Sequence, residues 1–321
     1  RQTDRQEWID FIKGILIFAV VLGHLLGGDK ASDKNIIGIT HYYIYAVHMP
    51  LFMFISGILC KKKITVKKAI KNYLIPYILF DSLYIIWRWG MGYSLDWHIW
   101  FPSYVYWYIL SLFFMRLLIS WCDRGELCFA IVILSMFSWI CNRTIWNFLS
   151  LGRVVLLYGI FYLGYRCQFS LLNKIRTRYK YQCILLGCGA LIGETLFLIM
   201  GVVDITWATH DYSVYFWDYI LKYIYMFVFS IGIFALLMTV TFDIKCVKHW
   251  GKNSLIIYLI HPFAVESVRT VVKLSGISNT MVIYIVFLIA SLLITEVLSL
   301  NSTRRIYDYF MIHVLKMMRI D

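Results

Sequence analysis

Ten apolar stretches run through the chain, at about 8–27, 42–60, 72–91, 101–120, 127–141, 152–168, 181–203, 215–241, 254–273 and 279–300, with short polar segments between them. Most approach the roughly 20 residues that an α-helix needs to cross a hydrocarbon core. The pattern predicts an all-α, polytopic membrane protein of about ten transmembrane helices. No repeat is evident, and no polar stretch is long enough for a separate soluble domain. Residues 1–321 therefore read as a single transmembrane domain.

Composition supports this. Hydrophobic residues make up 61% of the chain and charged residues 15%, against about 25% charged in a typical soluble domain. The charged start, Arg1 to Glu7, has no small-residue cleavage site and does not read as a signal peptide. The net charge of +13 would suggest nucleic acid in a soluble protein. Here the basic residues fall mostly in short loops, where they set orientation. With the N-terminus inside, 23 of the 31 Lys and Arg lie on the inner side. That bias predicts both termini in the cytoplasm and an even number of spans. The eight cysteines are scattered without a C-x-x-C pair, so neither a disulfide framework nor a zinc site is expected.

Ionisable groups inside membrane helices are costly and by default point to function. The first predicted helix carries Asp10, Lys13 and His24. Eleven residues separate Lys13 from His24. At about 100° per residue the two share a face, roughly 16 Å apart along the axis. Asp10 lies within about 60° of Lys13 on that face. One stripe thus carries charge at the cytoplasmic mouth and an imidazole toward the outer half. The second helix carries His48-Met49-Pro50-Leu51-Phe52 and Ser56-Gly57. His48 stands roughly 20 Å above Lys61, close to the level of His24, and Pro50 is expected to open the backbone just below it. Glu194, Asp81 and His261-Pro262 lie within three further spans, where a hydrogen bond between helices is as good an explanation as catalysis.

These motifs resemble the membrane acyltransferase family 3, in particular the branch with fucose 4-O-acetylase-like proteins and polysaccharide O-acyltransferases. Trp8-Ile9-Asp10-Phe11-Ile12-Lys13-Gly14-Ile15 through Leu22-Gly23-His24 resembles the first helix of that branch, with its basic residue, ten spacers and histidine. His48 to Phe52 with Ile55-Ser56-Gly57 resembles the second-helix motif. Lys71 through Leu74-Ile75-Pro76-Tyr77 is similar to the entry of the third helix. Trp107-Tyr108-Ile109-Leu110 and Asn253-Ser254-Leu255 with Tyr258 and His261-Pro262 follow in order. Many members carry Arg where this chain has Lys13; Lys binds phosphate as a point charge rather than a bidentate fork.

The resemblance implies a bacterial cytoplasmic-membrane enzyme. It would take an acetyl or other short acyl group from cytoplasmic acyl-CoA to a hydroxyl of a cell-surface or lipid-linked glycan. His24 is the expected general base, with Glu194 or Asp10 to orient it. His48 is expected to share the proton or to donate to the developing oxyanion. Lys13, Lys67, Lys68 and Lys71 are the candidate CoA phosphate ligands. Trp107, in an aromatic-rich outer segment, is the candidate sugar-stacking residue, with Arg153 and His261 as further acceptor contacts. No Ser or Cys sits in a recognisable nucleophile motif, so direct transfer is expected rather than an acyl-enzyme. No metal is expected, and the partners are membrane lipid and the glycan acceptor. The rival reading is a transporter or flippase of a glycan or small solute, which would call for discontinuous helices and repeat symmetry. A sensor or scaffold would leave the Lys13–His24 stripe unexplained.

Overall fold

The computed structural model describes residues 4–28, 31, 33–95, 98–136, 147–201, 216–240 and 244–319. Among them there is no β-strand. The helices are α1 (Asp4–Leu26), α2 (Ile36–Leu59), α3 (Val66–Ala69), α4 (Ile75–Gly90), α5 (Trp107–Trp121), α6 (Gly125–Met136), α7 (Leu151–Arg166), α8 (Phe169–Arg178), α9 (Lys180–Ile199), α10 (Phe216–Thr239), α11 (Lys245–Lys252), α12 (Ser254–Leu274), α13 (Thr280–Ser299) and α14 (Asn301–Met317). A π-helical turn, Ile70–Leu74, links α3 to α4.

Each predicted span overlaps a helix where its residues are described. The last residues of the fifth and seventh spans, and both ends of the eighth, lie outside the described residues. Among the described residues six helices are long and apolar enough to cross a membrane: Glu7–Leu26, Ile36–Leu59, Phe148–Arg166, Lys180–Ile199, Ser254–Leu274 and Thr280–Ser299. Their outer faces are apolar. Leu185 on α9 is 72% exposed and Leu293 on α13 is 60% exposed, surfaces suited to lipid rather than water.

Two boundaries differ from the sequence pattern, for identifiable reasons. Helix α2 begins at Ile36, six residues before the predicted start, because the Asn35 side chain accepts from the backbone N–H of Ile37 (2.9 Å) and Gly38 (3.2 Å). That cap carries the helix through the polar residues Thr40 and His41. Helix α5 begins at Trp107, not at 101. Pro102 has no N–H to give a helix, and the Ser103 N–H donates to the Asp81 carboxylate at 2.8 Å. Asp81, 1% exposed, is thus a structural ligand of this loop. Pro50 does not interrupt α2, which is continuous to Leu59.

Helix α1 is the hub, packed by α2, α11, α12 and α13. Of its apolar stretch 67% is buried, against 17% for α9 at the periphery. Glycines let backbones touch at two crossings. A Cβ on Gly57 of α2 would lie 2.0 Å from the Phe161 carbonyl oxygen of α7, and one on Gly164 of α7 2.1 Å from that of Phe54. A Cβ on Gly251 of α11 would lie 1.7 Å from the Asp10 carbonyl oxygen of α1. Small residues at such contacts maximise helix packing in a bilayer. Gly57→Ala is therefore expected to cost about 3 kcal/mol or more, because backbone on the other side cannot yield. Gly90→Ala, with nothing within 4 Å, should be silent. Thermal unfolding of the two purified variants checks this; equal melting temperatures would refute the backbone-contact reading.

Candidate active site

Three helices each deliver one histidine to a common point. His24 comes from α1, His48 from α2 and His261 from α12. The ring centroid of His24 is 5.4 Å from that of His261, nearly parallel, and 6.4 Å from that of His48, at 90°. Tyr45 Oη lies 3.1 Å from His24 Nδ1, and the Tyr104 ring packs 4.8 Å from the His24 ring.

The backbone fixes two of these rings. His48 Nδ1 lies 2.7 Å from the Ile44 carbonyl oxygen. His261 Nδ1 lies 2.8 Å from the Tyr258 carbonyl oxygen and 3.0 Å from that of Ile257. A carbonyl can only accept, so both Nδ1 atoms carry the proton and both Nε2 atoms present a lone pair. The His261-Pro262 pair explains its own geometry. Pro262 has no N–H for the carbonyl four residues earlier, that of Tyr258, and the His261 ring supplies the missing donor. His261 is fully buried and its Nε2 has no hydrogen-bond partner.

Access distinguishes the three. His48 is 3% exposed and His261 0%, whereas His24 is only partly buried. It also touches Tyr104, whose 37% exposure opens the site on that side. Tyr104 adopts a left-handed backbone, with φ of 48°, a strained state for a bulky residue. Its neighbours hold it there. Ser103 is tied to Asp81, the Val105 carbonyl accepts from Tyr258 Oη, and Tyr106 Oη donates to the Leu259 carbonyl at 3.0 Å.

Below the histidines lies an apolar cavity of about 150 Å³. Helix α1 lines it with Lys13, Ile17 and Val20. Helix α2 contributes Met49, Phe52 and Ser56, and α12 contributes Ser254, Leu255 and Tyr258. Toward the histidines the lining ends at Val20, one turn before His24, at Met49, next to His48, and at Tyr258, three residues before His261. The cavity thus runs from Lys13 to the underside of the imidazole cluster.

The other sequence candidates separate into groups. Asp10 accepts from Lys13 Nζ at 2.8 Å, fourteen residues and roughly 21 Å below His24. Glu194 is 3% exposed and neither of its carboxylate oxygens has a hydrogen-bond partner among the described residues, while Tyr42 Oη hydrogen-bonds Tyr225 Oη at 2.7 Å. The side chain at His24 Nδ1 is thus a tyrosine and not a carboxylate. Lys67, Lys68 and Lys71 lie on α3 and the π turn and line neither this cavity nor the second one described below. Arg153 and Trp107 meet, the guanidinium lying 4.8 Å over the indole ring, on the α5–α7 side of the bundle. Among the described residues no group of three or more His, Cys, Asp or Glu could hold a metal ion.

Sequence periodicity did not signal Tyr45, Tyr104 or Arg116. Arg116 lines a second cavity of about 210 Å³ with Cys60, Tyr73 and Phe161. Tyr45 lies three residues before His48 on the same helix, a signal that was present but indistinguishable from an ordinary core tyrosine.

An acyltransferase domain model matches residues 6–300. The chain belongs to this acyltransferase family. On its first helix Lys13 lines the cavity and His24 stands one turn beyond the last lining residue, Val20, and the apolar helices make this acyltransferase a membrane protein. Two curated relatives are similar over a short stretch: the nodulation protein NolL of Sinorhizobium fredii, 48% identical over 59 residues, and NolL of Mesorhizobium japonicum, 44% identical over 59 residues. Each match covers 18% of this acyltransferase and 16% of the relative. No solved structure matches it.

Proposed function

We propose that this acyltransferase moves an acetyl or other short acyl group from cytoplasmic acyl-CoA to a glycan hydroxyl presented at the opposite side. It acts as a single ten-span unit with both termini in the cytoplasm. The observation that carries the reading is the cavity connecting Lys13 with the underside of His24. Its apolar wall suits a thin acyl-pantetheine chain, and Lys13 and the basic inner loops suit the anionic end of CoA.

The chemistry needs few groups. With the His24 Nδ1–H donated to Tyr45 Oη, His24 Nε2 is free to take the hydroxyl proton. The hydroxyl oxygen bonds to the thioester carbon, and the carbon–sulfur bond then breaks. The departing CoA sulfur receives the proton from His24, so the base is restored. His48 and His261, with bare Nε2 atoms, can accept a hydrogen bond from the incoming hydroxyl. As neutral rings held this way they cannot donate to an oxyanion, so the oxyanion role expected of His48 falls to a tyrosine hydroxyl such as that of Tyr45 or Tyr104. Trp107 and Arg153 remain candidate acceptor contacts.

Sided membrane vesicles test the reading. Inside-out vesicles given external acetyl-CoA labelled in the acetyl group should release CoA thiol and acylate glycan on the lumenal side. Right-side-out vesicles should do neither until permeabilised. Equal consumption by intact vesicles of both orientations would overturn the cytoplasmic-donor assignment.

A further inference from the structure

We propose that Arg116 binds the phosphate at the end of the donor's pantetheine arm, so that the second cavity selects thioesters carrying that phosphate. This rests on the acyl-CoA reading above and names the residue that reads the donor's charge.

The two cavities share Ser56, Leu59 and Leu112 in their walls. They abut along that shared wall, and Lys13 lines one while Arg116 lines the other. The two cations are not equivalent. Lys13 is already paired with Asp10 at 2.8 Å. Arg116 pairs with no carboxylate among the described residues. Its Nη1 donates to Cys60 Sγ, a weak acceptor, its Nη2 to the Lys62 carbonyl at 3.2 Å, and its buried Nε has no partner. Asp123 accepts instead from Tyr165 Oη at 2.8 Å. Lys61 is committed too, capping α7 by donating to the carbonyls of Tyr165 (2.7 Å) and Cys167 (2.6 Å). A guanidinium in a cavity with spare donors is suited to phosphate oxygens, which it can bind in a fork.

The lengths agree. Cys60, in contact with Arg116, lies twelve residues below His48 on α2 and its C-cap, roughly 18 Å along the axis. Pantetheine is an amide-linked chain comparable to about four extended residues, ~14 Å. The thioester carbon beyond one end and the phosphorus beyond the other each add a bond, which brings the reach close to the distance from the histidines to Arg116.

Isothermal titration of the full chain in nanodiscs decides this, with CoA, 4′-phosphopantetheine and pantetheine as probes. The wild type should bind the two phosphorylated probes at least about 10-fold more tightly than pantetheine. Arg116→Gln should lose that preference and leave pantetheine affinity unchanged. Arg116→Lys should restore part of it, since the point charge remains. Wild-type-like CoA affinity in folded Arg116→Gln, or an equal loss for all three probes, would overturn the proposal while leaving the donor reading intact. A wild type that binds none of the probes would overturn the donor reading and this inference with it.

Discussion

His24→Ala is expected to slow acyl transfer at least about 100-fold while the protein folds and binds CoA much as the wild type does. Three imidazoles meet at the site, so the choice among them must be physical. His48 and His261 each spend Nδ1 on a backbone carbonyl of their own helix and are 3% and 0% exposed. Their rings are held as part of the helix surface. His24 is the one partly open, on the side where Tyr104 borders it. Its Nδ1 partner is a side-chain hydroxyl, that of Tyr45, which can adjust as the ring gains and loses a proton. Tyr45→Phe should therefore slow transfer less than His24→Ala does, by loosening the ring and its tautomer. Because an imidazolium cannot accept a proton, wild-type transfer should also fall toward acid pH, and that acid limb should vanish in the residual activity of His24→Ala. Steady-state rates with labelled acetyl-CoA, beside a CoA binding curve for each variant, check all of this. A folded His24→Ala variant with near-normal transfer would remove His24 from the chemistry.

The sequence carried the parts of this site that follow from one rigid helix. Lys13 and His24 had to share a face because a helix has a fixed pitch, and the structure puts Lys13 on the cavity wall with His24 one turn beyond the last lining residue, Val20. The levels of His24 and His48 were legible for the same reason. What periodicity cannot show is which helices touch. His261 joins the cluster only because α12 packs against α1, and its motif gave the ring without the neighbour. Tyr104 depends on a loop held by Asp81, a contact between positions 22 residues apart that leaves no periodic trace. For Lys67, Lys68 and Lys71 the sequence shows charge but not which cavity wall, if any, each belongs to. A basic inner loop is also what membrane orientation requires, and only the cavity walls separate those lysines from Arg116, which had read as one more orienting charge. Asp10 and Glu194 illustrate the same limit. Each lies in an apolar helix, yet Asp10 pairs with Lys13 and the partner at His24 Nδ1 is Tyr45 rather than either carboxylate.

Blocking the cavity should be nearly as damaging as removing the base. Ser56 lines both cavities, and its hydroxyl hydrogen-bonds Tyr108 Oη at 2.8 Å. Ser56→Phe would place a phenyl ring in a space of about 150 Å³, across the route from Arg116 and Lys13 to His24. Transfer should fall about 100-fold or more, because a reacting carbon displaced by even an ångström loses its alignment with the hydroxyl. Free CoA should still bind, more weakly, through its phosphates at the inner mouth. Ser56→Ala is the control. It removes one hydrogen bond, worth about 1 kcal/mol of stability, and leaves the passage open, so its transfer rate should stay within a few-fold of wild type. The pair separates a blocked route from a damaged fold, since both variants lose the Tyr108 contact and only one fills the cavity. If folded Ser56→Phe transferred acyl groups as fast as Ser56→Ala, the thioester would have to reach His24 by another path, and the cavity between Lys13 and the histidines would not be the donor channel.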